Sequence, residues 1–189
     1  ADRGTWIEWK ILRQYQMLFN EGLLAMKDLC YLIAINTRRL GEAAGQRGDM
    51  RTLDLSIKFF NTYLRSVLNS ADIRTAYNIL HQYRQLAEFA VSTRDSAGSG
   101  SPASQRPIGD EPAAPSELER RGLEIAKFMR YYSGIAFQRG LTFITEVIAH
   151  DVGALCAVAF FGQSRCHAEI LATFLKVDET AESADQEST

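Results

Sequence analysis

Apolar residues recur at helical spacing from Trp6 to Val177, and one long stretch, Arg94 to Pro115, interrupts them. A chain patterned near a 3.6-residue period along almost its whole length can bury its apolar stripes only by packing helix on helix. The fold class that follows is all-α. About six helices are expected, as an antiparallel bundle or a short α-hairpin solenoid, with the bundle preferred and one long flexible loop. At 189 residues and 46% hydrophobic content, the chain suits a single domain over 1–189.

The first helix is expected over Trp6–Leu40, with Thr5 and Glu8 as a capping box, Gly41 as its stop and Gly22 as the place to kink. Leu23 to Ile35 is apolar nearly all round, which predicts a central, buried position. The second runs over Met50–Leu68 behind an Asp49 cap, with Leu53, Ile57, Phe60, Leu64 and Val67 on one face. The third runs over Ala71–Ser92, capped by Ser70, with Ile73, Tyr77, Leu80, Tyr83 and Ala87 on its core face. The short Asn69–Ser70 turn makes these two antiparallel. Residues 94–115 hold all four prolines and read as a flexible linker. Ser116 and Glu119 form a second capping box, opening a fourth helix to Gln138; Gly140 breaks the chain. A fifth helix spans Leu141–Phe161, a sixth Ser164–Val177, and 178–189 is expected to be a disordered acidic tail. No repeat of fixed period is found.

Net charge is -2, so no global basic field favours nucleic acid. The charge is uneven: Ala1–Arg94 carries 13 Lys/Arg against 9 Asp/Glu, and Asp95–Thr189 carries 8 against 14. Of three cysteines, Cys30 and Cys156 lie in apolar runs; the odd number suggests no disulfide framework and a reducing, cytoplasmic setting. The fifth helix has the length of a membrane span, but Glu146, His150 and Asp151 sit in its middle, and each would cost about 2–3 kcal/mol or more in a bilayer. A core helix with a polar seam is expected instead. Trp6 and Trp9, one turn apart among Arg3, Lys10 and Arg13, suit a membrane interface or pack on the core. The chain opens Ala-Asp-Arg, and a domain taken from a larger, membrane-anchored protein is expected.

Motifs of chemistry are missing. There is no Gly-x-Ser-x-Gly elbow and no Gly-rich loop followed by Lys-Ser or Lys-Thr. Glu146 and His150 share a face four residues apart, but no Glu-x-x-His occurs, and the adjacent Cys166 and His167 suit joint zinc binding poorly. No enzyme, cofactor or metal is expected. Charges inside apolar segments must be paired, so Lys27, Asp28, Glu146, His150 and Asp151 are expected to form a polar network between the first and fifth helices, joined by Arg130 or Tyr132. The alternative is that Lys27 and Asp28 face solvent. Gly134 and Gly153, mid-helix, predict close helix approaches. A candidate partner surface gathers Arg74, Asn78 and Gln82 on one helix, with exposed aromatics among Phe59, Tyr63, Tyr131 and Tyr132.

The segments Phe59-Phe60-Asn61-Thr62-Tyr63-Leu64, Arg74-Thr75-Ala76-Tyr77-Asn78 and Gln82-Tyr83-Arg84 resemble an uncharacterised group of bacterial membrane-associated proteins, over about two thirds of the chain. That resemblance implies a soluble helical region following transmembrane segments, and it transfers no catalytic residue. The expected function is a non-enzymatic protein–protein interaction or scaffold domain, the cytoplasmic part of a larger membrane-anchored bacterial protein. It would bind a protein partner or itself. The alternative is a small-molecule or metal sensor with a polar pocket between the first and fifth helices.

Overall fold

The computed structural model describes residues 3–20, 27–92 and 114–187. They form seven helices: α1 Arg3–Asn20, α2 Lys27–Gln46, α3 Met50–Asn69, α4 Ile73–Ser92, α5 Glu117–Gln138, α6 Thr142–Phe161 and α7 His167–Glu187. No strand occurs among the described residues. The expected first helix is two, α1 and α2. The kink expected at Gly22 lies outside the described residues, as does the linker expected over 94–115 except for its last two residues.

The order of packing follows the order of the chain. All substantial contacts join a helix to its first or second neighbour in sequence: α1 to α2 and α3, α2 to α3 and α4, and so on to α6 with α7. Two rows result, α1–α3–α5–α7 and α2–α4–α6. This is the solenoid alternative rather than a bundle closed on a single axis. A helix at either end of such an array lacks neighbours that an inner helix has.

The inner helices show why these residues fold this way. On α3, Leu53, Ile57, Phe60, Leu64 and Val67 are all buried, and each such side chain contributes about 1.5–3 kcal/mol of hydrophobic free energy. Phe60 stacks on Tyr83 of α4 with ring centres 5.1 Å apart. Asp49 caps α3 by accepting from the Thr52 backbone N–H at 3.2 Å. Arg139, in the α5–α6 turn, donates to the carbonyls of Leu68 and Asn69 at 3.3 and 3.2 Å, placing a cation where the α3 dipole is negative. The Ser116–Glu119 capping box is present at the head of α5.

Several expectations are corrected. The helix reaches Arg3, so Thr5 does not cap it, and the Glu8 carboxylate accepts instead from Arg47 beyond α2. Gly41 does not stop α2; a Cβ there would lie 3.1 Å from Leu86 Cδ1 and from Ser56 Cβ, so it permits close packing of three helices. The stop is Gly48, at φ +73°. Tyr31 and Leu32 are exposed on α2, which is therefore not buried all round. On α4 the cap is Asp72, which accepts from Thr75 N and Oγ1 at 3.2 and 2.7 Å, and Ile73 and Tyr77 are exposed. The core face of α4 is turned toward Ala76, Ile79, Leu80, Tyr83, Leu86 and Ala87. The α7 helix runs on to Glu187, past the end expected at Val177.

Candidate functional site

The polar cluster expected inside the fold takes a different form. Asp151 on α6 is buried, and its partner is Arg84 of α4, with Nη1 at 3.4 Å. Arg84 also faces Glu88 at 3.4 Å. Burial raises the Asp151 carboxyl above its ordinary range, against the lowering pull of Arg84 and of His150. Glu146 and His150 are exposed, although His150 Nδ1 comes within 3.5 Å of Asp151. The α6 helix packs against α4, α5 and α7, so it is α4 that supplies the partner of Asp151. Neither proposed auxiliary joins it: Arg130 is exposed, and the Tyr132 hydroxyl donates to the Asn61 carbonyl at 2.7 Å. The side chains of Lys27 and Asp28 lie outside the described residues. Around this ion pair, Tyr77, His81, Arg84, Glu146, His150 and Asp151 line a groove of about 380 Å³ between α4 and α6.

The α6 helix is long and apolar enough to cross a membrane by length and composition, with mean hydropathy 1.6. Here Ile144, Ile148, Val152, Leu155 and Ala159 are buried by its three neighbours. Among the described residues, no group of three or more His, Cys, Asp or Glu is placed to hold a metal ion.

The candidate partner surface divides. Arg74 is exposed and Asn78 partly so, but Gln82 is buried, where its carbonyl accepts from Arg38 Nε at 2.9 Å. Tyr63 is buried at 1% exposure, edge-on to Phe59 at 4.0 Å, so neither ring can meet a partner. Tyr132 is buried as well, and burial raises its hydroxyl to about 12. Tyr131 is exposed at 54%, edge-on to Tyr132. It stands at the rim of a groove of about 980 Å³ between α3 and α5, where Arg121 Nη2 donates to Asp54 Oδ2 at 3.0 Å.

Among the described residues, the most exposed aromatic rings are elsewhere. Phe160 and Phe161, at the end of α6, are 63% and 81% exposed and stand edge to face with ring centres 5.6 Å apart. Beside them His167 lies 6.2 Å from Phe160, and Leu171 and Leu175 follow on α7 at 43% and 54% exposure. The stripe Ala168, Leu171, Leu175 has helical spacing and is separate from the buried stripe Cys166, Ile170, Thr173, Val177. This apolar end was missed in the sequence, although the low amphipathicity of Leu141–Phe161 was a signal: a helix apolar on every side has one face more than its neighbours can cover.

No protein-family model and no curated protein matches the chain. Among solved structures it is similar to a protein described as a circular tandem repeat protein with novel repeat topology and enhanced subunit contact surfaces, at 15% identity and TM-score 0.60. The match covers 96% of this chain and 40% of that one, so the chain spans well under half the length of the protein it resembles. The likeness concerns the fold: an all-α array of antiparallel packed helices.

Proposed function

We propose that this chain is a helical interaction scaffold that works by binding protein across the open α6–α7 end of its array. The observation that carries the reading is the exposure of four large apolar side chains, Phe160, Phe161, Leu171 and Leu175, on the two packed helices α6 and α7. Large rings and leucines left in water in one place are the mark of a contact surface. The similar solved structure is described as having enhanced subunit contact surfaces, which agrees with a scaffold role. The setting proposed with it is cytoplasmic and beside a membrane, with Arg13 lying 4.7 Å over the Trp9 ring on α1 as an aromatic–basic pair of the kind found there.

The test is a photo-crosslinking residue placed at position 171 and, as control, at exposed Arg39 on α2, in the cells the protein comes from. Protein adducts at 171 and not at 39 are expected. No adduct at 171 would end the proposal.

The α4–α6 groove around His150 and Asp151 favours a second reading, a sensor for a small molecule. Native mass spectrometry of the protein from its own cytosol addresses it. Bound mass that is lost in His150→Ala would place function in that groove.

A further inference from the structure

We infer that the groove between α3 and α5 is a second binding site, one that takes an extended acidic peptide of a partner protein. The inference goes beyond the scaffold reading and does not depend on it, because the groove is walled by two inner helices. Those walls run in the same direction. Arg121 of α5 is bonded to Asp54, Tyr132 to the Asn61 carbonyl, and Arg139 to the Leu68 and Asn69 carbonyls, so the helices are tied near their starts, middles and ends. The stretch of α3 that lines the groove, Asp54 to Asn69, is about 22 Å long. That is the span of about seven residues of extended chain. The groove, about 980 Å³, is open along this length and suits a strand of peptide lying between two helices.

The groups on the walls give the chemistry of the occupant. Asn61 is held twice: its side-chain oxygen accepts from the Tyr83 hydroxyl at 3.0 Å, and its backbone carbonyl accepts from the Tyr132 hydroxyl at 2.7 Å. Both rings are buried, so the Asn61 amide is fixed in place, and its Nδ2 has no acceptor among the described residues. A fixed amide donor in a groove suits a peptide carbonyl. Lys58 lies one turn before Asn61 on the same wall and Arg65 one turn after it. Both are exposed, and among the described residues neither has a carboxylate partner. The acids of the groove stand at its other end, where Asp54 is taken by Arg121 and Glu124 follows Arg121 by one turn. From Asn61 to Asn69 the α3 wall therefore offers amides and a cation and no acid. Facing it on α5 are Phe128 and Tyr131, the latter 54% exposed. An acidic side chain would meet Arg65 in a charge-assisted bond, and the apolar part of the same peptide would lie on the rings. The acids at the far end repel a uniformly charged polyanion, which disfavours nucleic acid.

The experiment is selection of phage-displayed random heptapeptides on the purified 189-residue chain, followed by fluorescence anisotropy with the selected peptides. Sequences enriched in Asp and Glu are expected, with affinity that falls as salt rises. Arg65→Glu and Asn61→Asp should each weaken binding about tenfold or more. Asn61→Asp keeps the oxygen that Tyr83 needs and replaces the Nδ2 donor with an acceptor, and Arg65 is exposed; circular dichroism checks that both variants fold. Reselection on Arg65→Glu should turn the enrichment toward Lys and Arg, a reversal that damage to the fold would not give. Leu171→Glu should leave the affinity unchanged. No selected peptide, peptides without acidic enrichment, or binding that both groove variants leave intact would overturn the inference. Binding lost in Leu171→Glu and kept in the groove variants would overturn it in favour of a site at the α6–α7 end. Acidic peptides lost in the groove variants, together with no adduct at position 171 in cells, would uphold it and end the scaffold reading at that end.

Discussion

The carboxylate of Glu119, at the start of α5, accepts the hydroxyl of Ser164, in the turn between α6 and α7, at 3.0 Å and across 45 residues of chain. The same carboxylate accepts from the Arg165 backbone N–H at 2.8 Å and, through its other oxygen, from the Ser116 N–H at 2.8 Å. A local helix cap is thereby made into a tertiary tie that fixes where α7 begins. Arg165 adds a bond from its guanidinium to the Ala114 carbonyl at 2.6 Å. The presentation of the apolar α6–α7 end depends on this turn, because Phe160 and Phe161 precede it and His167 follows it.

Glu119→Gln should therefore destabilise the fold by about 2–3 kcal/mol at neutral pH, since a buried cluster of donors loses its charged acceptor. Burial pushes the Glu119 carboxyl up, but the hydrogen bonds from Ser116, Arg165 and Ser164 outweigh it and hold the carboxyl below its ordinary value. A carboxyl lowered in the fold adds stability above its unfolded pKa and loses it as pH falls through the folded one. The gap between wild type and variant should close on acidification. Urea denaturation at neutral and acid pH measures it; a gap that does not change with pH would show that the bonds do not depend on the charge.

In the Arg84–Asp151 pair the carboxyl is shifted the other way, upward, yet its variant's deficit should also shrink on acidification. Arg84→Met leaves Asp151 buried beside an apolar chain, and breaking such a pair costs about 3–5 kcal/mol, toward the low end here because Arg84 still meets solvent. Asp151 is already raised by burial, and loss of Arg84 raises it further. A carboxyl raised in the fold ionises first in the unfolded chain, so stability falls as pH climbs from the ordinary carboxylate range through the raised value. The variant's deficit should be greatest at neutral pH and shrink as Asp151 is protonated. An equal deficit at both ends of the range would mean that Arg84 matters by packing alone.

The exposed end should behave as surface and not as core. Phe161→Ser and Leu175→Ser should change stability by no more than about 0.5 kcal/mol. Phe60→Ala, in the middle of α3, should cost about 3–5 kcal/mol. Thermal melts of the three variants at low protein concentration decide it, and a large loss at Leu175 would place that residue in the core.

The all-helical class and the stripe of α3 were legible because a period of 3.6 needs no knowledge of neighbours. The caps at Asp49 and Ser116 were legible because they are local chemistry. The face of α4 was not, since Ile73 and Tyr77 fit an apolar stripe as well as Ala76 and Ile79 do, and only the positions of α2, α5 and α6 choose between them. Gln82 read as solvated because its partner, Arg38, lies 44 residues earlier. Asp151 was recognised as a charge needing a partner, but which helix supplies that partner is a question of topology.

Glycines make the same point in a form that can be tested. Gly122, Gly134 and Gly153 all lie inside helices, and the sequence alone does not tell their surroundings apart. A Cβ at Gly122 would fall 2.4 Å from Val91 Cγ1, with the Ala87 carbonyl oxygen 3.3 Å away, so Gly122→Ala should force α4 and α5 apart and cost about 1–3 kcal/mol. At Gly153 the neighbour is the ring of Phe174 at 3.0 Å, a side chain only partly buried that can swing, so the loss should be smaller. At Gly134 nothing lies within 4 Å, which corrects the close approach expected there. Gly134→Ala should instead stabilise the helix by about 0.5–1 kcal/mol, because alanine has less backbone freedom to lose. Melting temperatures should rank Gly134→Ala above wild type and Gly122→Ala lowest. If Gly134→Ala melts below wild type, α5 is packed at that position by something absent from this arrangement of helices.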